Sequence, residues 1–153
     1  ESFDRVEAYS AAKVDLVSDT MTHASVSLDE VEADTEEVAK LLVEGRSSDA
    51  IPKLGVCLTV WQQVHDALAK SLSLLELDPA SIEVRDQTFD AAMSRPRDVL
   101  VQIKNALLAQ DYVLLADVLQ YEFSEVTDLW HAMITRVREE ADQRRESLTQ
   151  KTA

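Results

Sequence analysis

The chain has 153 residues, 46 per cent of them apolar, with only two glycines, three prolines and a formal net charge of −14. That apolar share excludes a disordered chain, the length suffices for one domain with a sizeable core, and so few turn formers exclude a sandwich or barrel. The charge repels phosphate backbones and anionic lipids, which argues against nucleic acid and membrane surfaces as partners and favours a basic protein.

The charge is unevenly placed. Residues 136–151 hold five basic and four acidic groups, leaving −15 on the rest. Cys57 is the only cysteine, so no internal disulfide or thiolate metal cluster can form, and its apolar neighbours suggest a buried, inert thiol. No signal peptide or membrane-spanning apolar run is present, which fits a cytoplasmic protein.

Phe3, Val6, Tyr9, Val14, Val17 and Met21 predict a first helix over about 3–21, followed by a polar break at Thr22–Ser27. Ser27 and Glu30 have the spacing of a capping box and open a second helix from Leu28 to Glu44. Leu28, Val31, Val38, Leu41 and Leu42 face inward on it, and Gly45 is the expected left-handed residue after its end. Asp29, Glu30, Glu32, Asp34, Glu36 and Glu37 crowd this helix. They read as a cation or basic-peptide site, or as a solvated face whose carboxylates suit the helix dipole. A calcium loop is excluded, because the glycine and alternating oxygen ligands are missing.

Asp49 is the expected cap of a third helix, with Pro52 in its first turn and Asp78-Pro79 at its end. Leu54, Leu58, Trp61, Val64, Leu68, Leu72 and Leu75 line its core face, which makes Trp61 a core anchor rather than a ligand platform. Gly55 marks either close approach of a neighbouring backbone or a weak turn. Residues 79–86 form a crossover in which Ile82-Glu83-Val84 reads as extended. A fourth helical region spans about Gln87 to Ala109, with Phe89, Ala92, Met93, Val99, Leu100, Ile103 and Leu107 inward and Pro96 expected to kink or divide it.

Gln110-Asp111 then turns tightly into the longest amphipathic run, which makes the last two helices antiparallel neighbours. Asp111 is placed to cap it. Tyr112, Leu115, Leu119, Val126, Leu129 and Met133 form its stripe, widened by Leu114, Val118, Trp130, Ile134 and Val137. Glu122 interrupts that stripe. It is either at an edge that reaches water or a buried carboxylate held by Trp61, Gln62, His65, or a lysine or arginine such as Lys104; both neighbours along the stripe being apolar, partial burial is expected. A helix over 112–143 would be about 48 Å long, and its last turns should overhang shorter neighbours.

The run from Asp111 to Glu122 (DYVLLADVLQYE), with Trp130 eight residues later, resembles a signature of small, uncharacterised bacterial helical proteins. A helix end over Leu41 to Gly45 and the tryptophan-bearing third helix with Trp61 match the same family. Gln120, where an acid is expected, and Pro96 depart from its pattern. The resemblance implies a helical bundle and supplies no activity.

No phosphate-binding glycine loop, Gly-x-Ser-x-Gly or His-Glu-x-x-His is present. A carboxylate-bridged metal site in a bundle needs acids on facing helices with acid-x-x-His pairs. The candidates are Asp128-x-x-His131, Glu122-x-x-Glu125 and His65-Asp66, and helical phase turns Asp128 and His131 away from the Glu122 stripe. His23 and His131 read as ordinary boundary residues.

These observations predict an all-α, up-and-down bundle of four to five helices with a long C-terminal helix, a single domain over 1–143 and a charged, frayed tail over 144–153. The expected role is a non-enzymatic, protein-binding adaptor or chaperone-like protein with no cofactor and no metal. A metal-dependent bundle enzyme and a structural homo-oligomer are the alternatives.

Overall fold

Val14, Val17, Met21, Ala24, Leu28 and Val31 are all buried, at spacings that alternate between three and four residues. That repeat carries one helix straight through the expected break: α1 (Ser2–Val43) is continuous over 42 residues. The computed structural model describes residues 2–152, with the side chains of residues 10–150. Phe3, Val6 and Tyr9, expected on the inner face, lie outside the described side chains.

Thr22–Ser27 is helix, and Ser27 with Glu30 is mid-helix rather than a capping box. The Thr22 hydroxyl at the head of the expected break is satisfied along the helix, donating to the Ser18 carbonyl at 3.0 Å, as Thr20 just before it donates to that of Leu16 at 2.7 Å. Ala24, 5 per cent exposed, supplies the apolar position that bridges the two halves. Gly45 ends the helix as expected. Its φ is +76°, its amide donates to Leu42 O at 3.1 Å, and Arg46 N donates to Leu41 O at 2.8 Å, a Schellman motif.

The second helix, α2 (Ser47–Leu74), starts two residues before Asp49. Arg46 occupies the cap position without a side-chain cap bond, and its guanidinium grips the Asp49 carboxylate at 2.9 and 3.0 Å. Asp49 is therefore a first-turn acid held by Arg46 and not the cap, and Pro52 is the sixth helical residue. At the other end, α2 stops before Asp78-Pro79. Asp78 instead braces the loop, accepting from Ala80 N at 3.0 Å and Ser81 Oγ at 3.1 Å.

The crossover is a two-residue hairpin, β1 (Glu83–Val84) with β2 (Gln87–Thr88), antiparallel, turned by Arg85 and Asp86 at φ +50° and +65°. Thr88 then caps α3 (Phe89–Leu108), its hydroxyl accepting from Ala91 N at 3.2 Å. Pro96 does not divide α3. It is buried with Ala92, Met93, Val99 and Leu100, and that packing holds both halves in one helix.

Asp111 caps the last rod as expected, its carboxylate accepting from Leu114 N at 3.1 Å. The rod comprises α4 (Tyr112–Asp117), a π-helical segment (Val118–Glu122) and α5 (Phe123–Thr152). Leu114, expected on the stripe, is exposed instead. Where the sequence suggests a frayed tail over 144–153, α5 remains helical to Thr152. Leu148 packs on the core, and Arg145 bonds Asp15 at 2.8 Å. The reason is the unbroken α1, which gives those turns a surface to lie on. The result is an all-α bundle with a long C-terminal helix and one small hairpin. α1 packs chiefly on α2 and α5.

Candidate functional site

The α1–α5 seam is antiparallel and polar bonds cross it at a regular step. Asp15 meets Arg145 at 2.8 Å, Thr22 meets Arg138 at 3.1 Å, and Asp29 meets His131 at 3.3 Å. Each pair is seven residues from the next on both helices, the repeat of a coiled-coil seam. One further step reaches Glu36 and Ser124. There the seam opens into a groove of about 660 Å³ that both residues line.

The π-helical segment shapes that groove. Its extra residue closes an i→i+5 bond, the Phe123 amide donating to the Val118 carbonyl. Phe123 is thereby set into the core, 4.0 Å centroid to centroid from Trp61 and 5.9 Å from Trp130. Leu28, Val31, Trp61, Leu119 and Phe123 form the apolar floor. Glu32, Glu36 and Asp128 stand on the rim with Lys40 and Glu44. Tyr121 in the π segment, 77 per cent exposed, lines the groove, as does Val43 at 63 per cent.

Glu122 is half-buried at the outer edge of the bundle. Its partner is Arg95 of α3 at 3.6 Å, which also reaches Glu125 at 3.7 Å. The partner is thus an arginine, one of the donor types expected, though none of Trp61, Gln62, His65 and Lys104 takes it. Trp61 stacks on Phe123, Gln62 accepts from Lys104 at 3.3 Å, and His65 accepts the indole of Trp130. The residue that fills the stripe is Phe123, four after Leu119 and three before Val126. That spacing is as helical as the spacing of Glu122, so periodicity alone does not choose between the two neighbours.

The buried polar centre lies on α2 instead. His65 is 7 per cent exposed; its Nδ1 accepts from Trp130 Nε1 at 3.3 Å, and its Nε2 is buried without a partner. Burial, with Arg97 as a lesser cause, holds the imidazole below its ordinary pKa. Its place four residues after Trp61 and three before Leu68 was the available signal. Cys57 is buried as expected, and burial pushes its thiol up.

The acidic cluster on α1 divides among several partners. Asp29 pairs with His131, Glu37 pairs with Lys53 at 3.1 Å, and Glu32 and Glu36 line the groove. Of the metal candidates, Asp128 lines the groove while His131 turns to Asp29, and Glu122 and Glu125 share Arg95. Among the described residues, no three His, Cys, Asp or Glu side chains converge as a metal site. Nor is any described helix long and apolar enough to cross a membrane.

No curated protein and no solved structure matches the chain. A family model does match, over residues 19–133, a span that contains every residue of the groove and most of the bundle. The chain belongs to the family described as a domain of unknown function, DUF8042.

Proposed function

We propose that the protein is a non-enzymatic binding module, an adaptor or chaperone-like protein, whose groove takes a basic, amphipathic segment of a partner protein. The observation that carries this reading is the groove itself, where an aromatic and aliphatic floor lies beneath a rim bearing Glu32, Glu36, Glu44 and Asp128 against the single cation Lys40. Apolar floors bury side chains of a partner, and a rim of one sign chooses the charge of what docks. A net charge of −14 makes a second copy a poor occupant, since two acidic rims would repel. A lone, buried cysteine suits a cytoplasmic, reducing setting.

The test is an NMR titration of the labelled protein with two 18-residue amphipathic peptides, one of leucine and lysine and one of leucine and glutamate. The lysine peptide should shift amides around Val31, Glu36, Tyr121 and Ser124, with affinity that falls as salt rises. Binding of the glutamate peptide instead, or shifts confined to another face, would sink the reading.

A further inference from the structure

The groove has two unlike ends. Glu32, Glu36, Lys40 and Glu44 follow one another at intervals of four along α1, so they stand in one row, one turn apart. Across from them the last rod runs antiparallel, so of its groove residues Asp128 stands toward the Glu32 end, Ser124 in the middle and Gln120 toward the Lys40 end. One end therefore presents carboxylates from both walls, Glu32 and Glu36 against Asp128. At the other end Lys40 shares the groove with Gln120, which is neutral, and the carboxylate beyond it, Glu44, lies 4.0 Å from the Arg46 guanidinium.

We infer that the groove recognises an amphipathic α-helix of polarised charge, with lysines or arginines gathered over the Glu32–Asp128 end and a carboxylate about two turns away over Lys40. The inference rests on the proposed binding role and adds to it the partner's charge order. From Glu32 to Glu44 the rim covers about 18 Å at ~1.5 Å per residue, the length of a partner helix of three to four turns. A cation docked over Lys40 meets like charge at short range, whereas a carboxylate there gains an opposite partner. Lys40 is thus a specificity-determining residue. It spoils the match with a uniformly basic helix and favours a segregated one.

Three peptides with the same leucine face test this by calorimetry. One gathers its lysines in one half of the polar flank and its glutamates in the other. A second has the same composition with the charges interleaved, and a third carries lysine throughout. The segregated peptide should bind about ten-fold more tightly than the interleaved one, a difference of the size that charge complementarity produces at interfaces. Lys40→Glu should bring those two within about two-fold of each other and tighten the all-lysine peptide. Lys40 is exposed, so the variant should fold, which its melting curve checks. Equal binding of segregated and interleaved peptides by the wild type overturns the inference while leaving a basic-helix groove standing. Failure of all three peptides overturns the groove's binding role itself.

Discussion

His65 and Trp130 show how one residue couples acidity to folding. With Nδ1 accepting from the indole, a neutral His65 carries its proton on Nε2, which is buried and unpaired. Protonating Nδ1 would break that bond and bury a charge, which is why burial lowers the folded-state pKa. Because the folded pKa is depressed, the unfolded chain takes up the proton first as pH falls through about 6.5. Stability should be flat above that pH and fall below it, down to the folded pKa. Urea titrations at pH 7.5 and 5.5 check this, and His65→Gln, which cannot titrate, should reduce the loss. An unchanged loss in the variant would assign the acid sensitivity to other groups. Phe123 and Glu122 supply a second contrast. Phe123→Ala should cost about 3–5 kcal/mol, as a fully packed ring removed from beside two tryptophans. Glu122→Gln, at a half-exposed ion pair, should cost no more than ~1 kcal/mol. Comparable losses in denaturant titrations would mean that the π segment does not fix which of the two faces the core. Sequence periodicity left these neighbours undecided because i+3 and i+4 both continue a helical stripe. The inserted π turn, which no residue type announces, decides between them.

At the scale of elements, the long helices and their inner faces were legible, because buried positions recur with the period of the helix whatever lies between them. Boundaries were less so. The Gly45 terminus was readable since only a left-handed residue closes a Schellman motif without strain, yet Glu76 and Gln110 close α2 and α3 at φ +53° and +56° with no glycine to mark them. The break assigned to Thr22–Ser27 failed for a related reason. A hydroxyl signals a cap only if it finds free amides, and here those of Thr20 and Thr22 return to carbonyls of the preceding turn. The two glycines make the rule testable. Gly45→Ala should destabilise by about 1–2 kcal/mol, since φ +76° strains an L residue. Gly55→Ala lies inside α2, where an added Cβ meets nothing within 4 Å, and should stabilise by about 0.5–1 kcal/mol. Opposite signs in the two thermal midpoints are the expected result. A destabilising Gly55→Ala would mean that the helix needs the flexibility of glycine at this point.

For the whole molecule, the decisive fact is that two rods of nearly equal length lie against each other. α1 is about 63 Å long at ~1.5 Å per residue, and the rod from Tyr112 to Thr152 is about 61 Å. An overhanging C-terminus was inferred from a shorter first helix; with α1 unbroken, the last turns of α5 have a partner. Deleting residues 144–153 removes Leu148 from its contact with the core and Arg145 from Asp15. The half-buried leucine should contribute about 1–2 kcal/mol and the exposed ion pair less than ~1. The thermal midpoint should then fall by about 2–12 °C, given roughly 2–4 °C per kcal/mol in a chain of this size. The groove stands apart from that end of the bundle. Its lining residues run from Leu28 to Asp128, inside the span that matches the family, and the nearest seam bond, Asp29 to His131, survives the deletion. The truncated chain should therefore bind the leucine–lysine peptide within about two-fold of the full chain at a temperature where both are folded. A midpoint that does not move would show that the end of α5 adds nothing to the seam. A midpoint that falls together with the loss of peptide binding would show that the rods act as one unit, with the groove held open by the whole length of the seam.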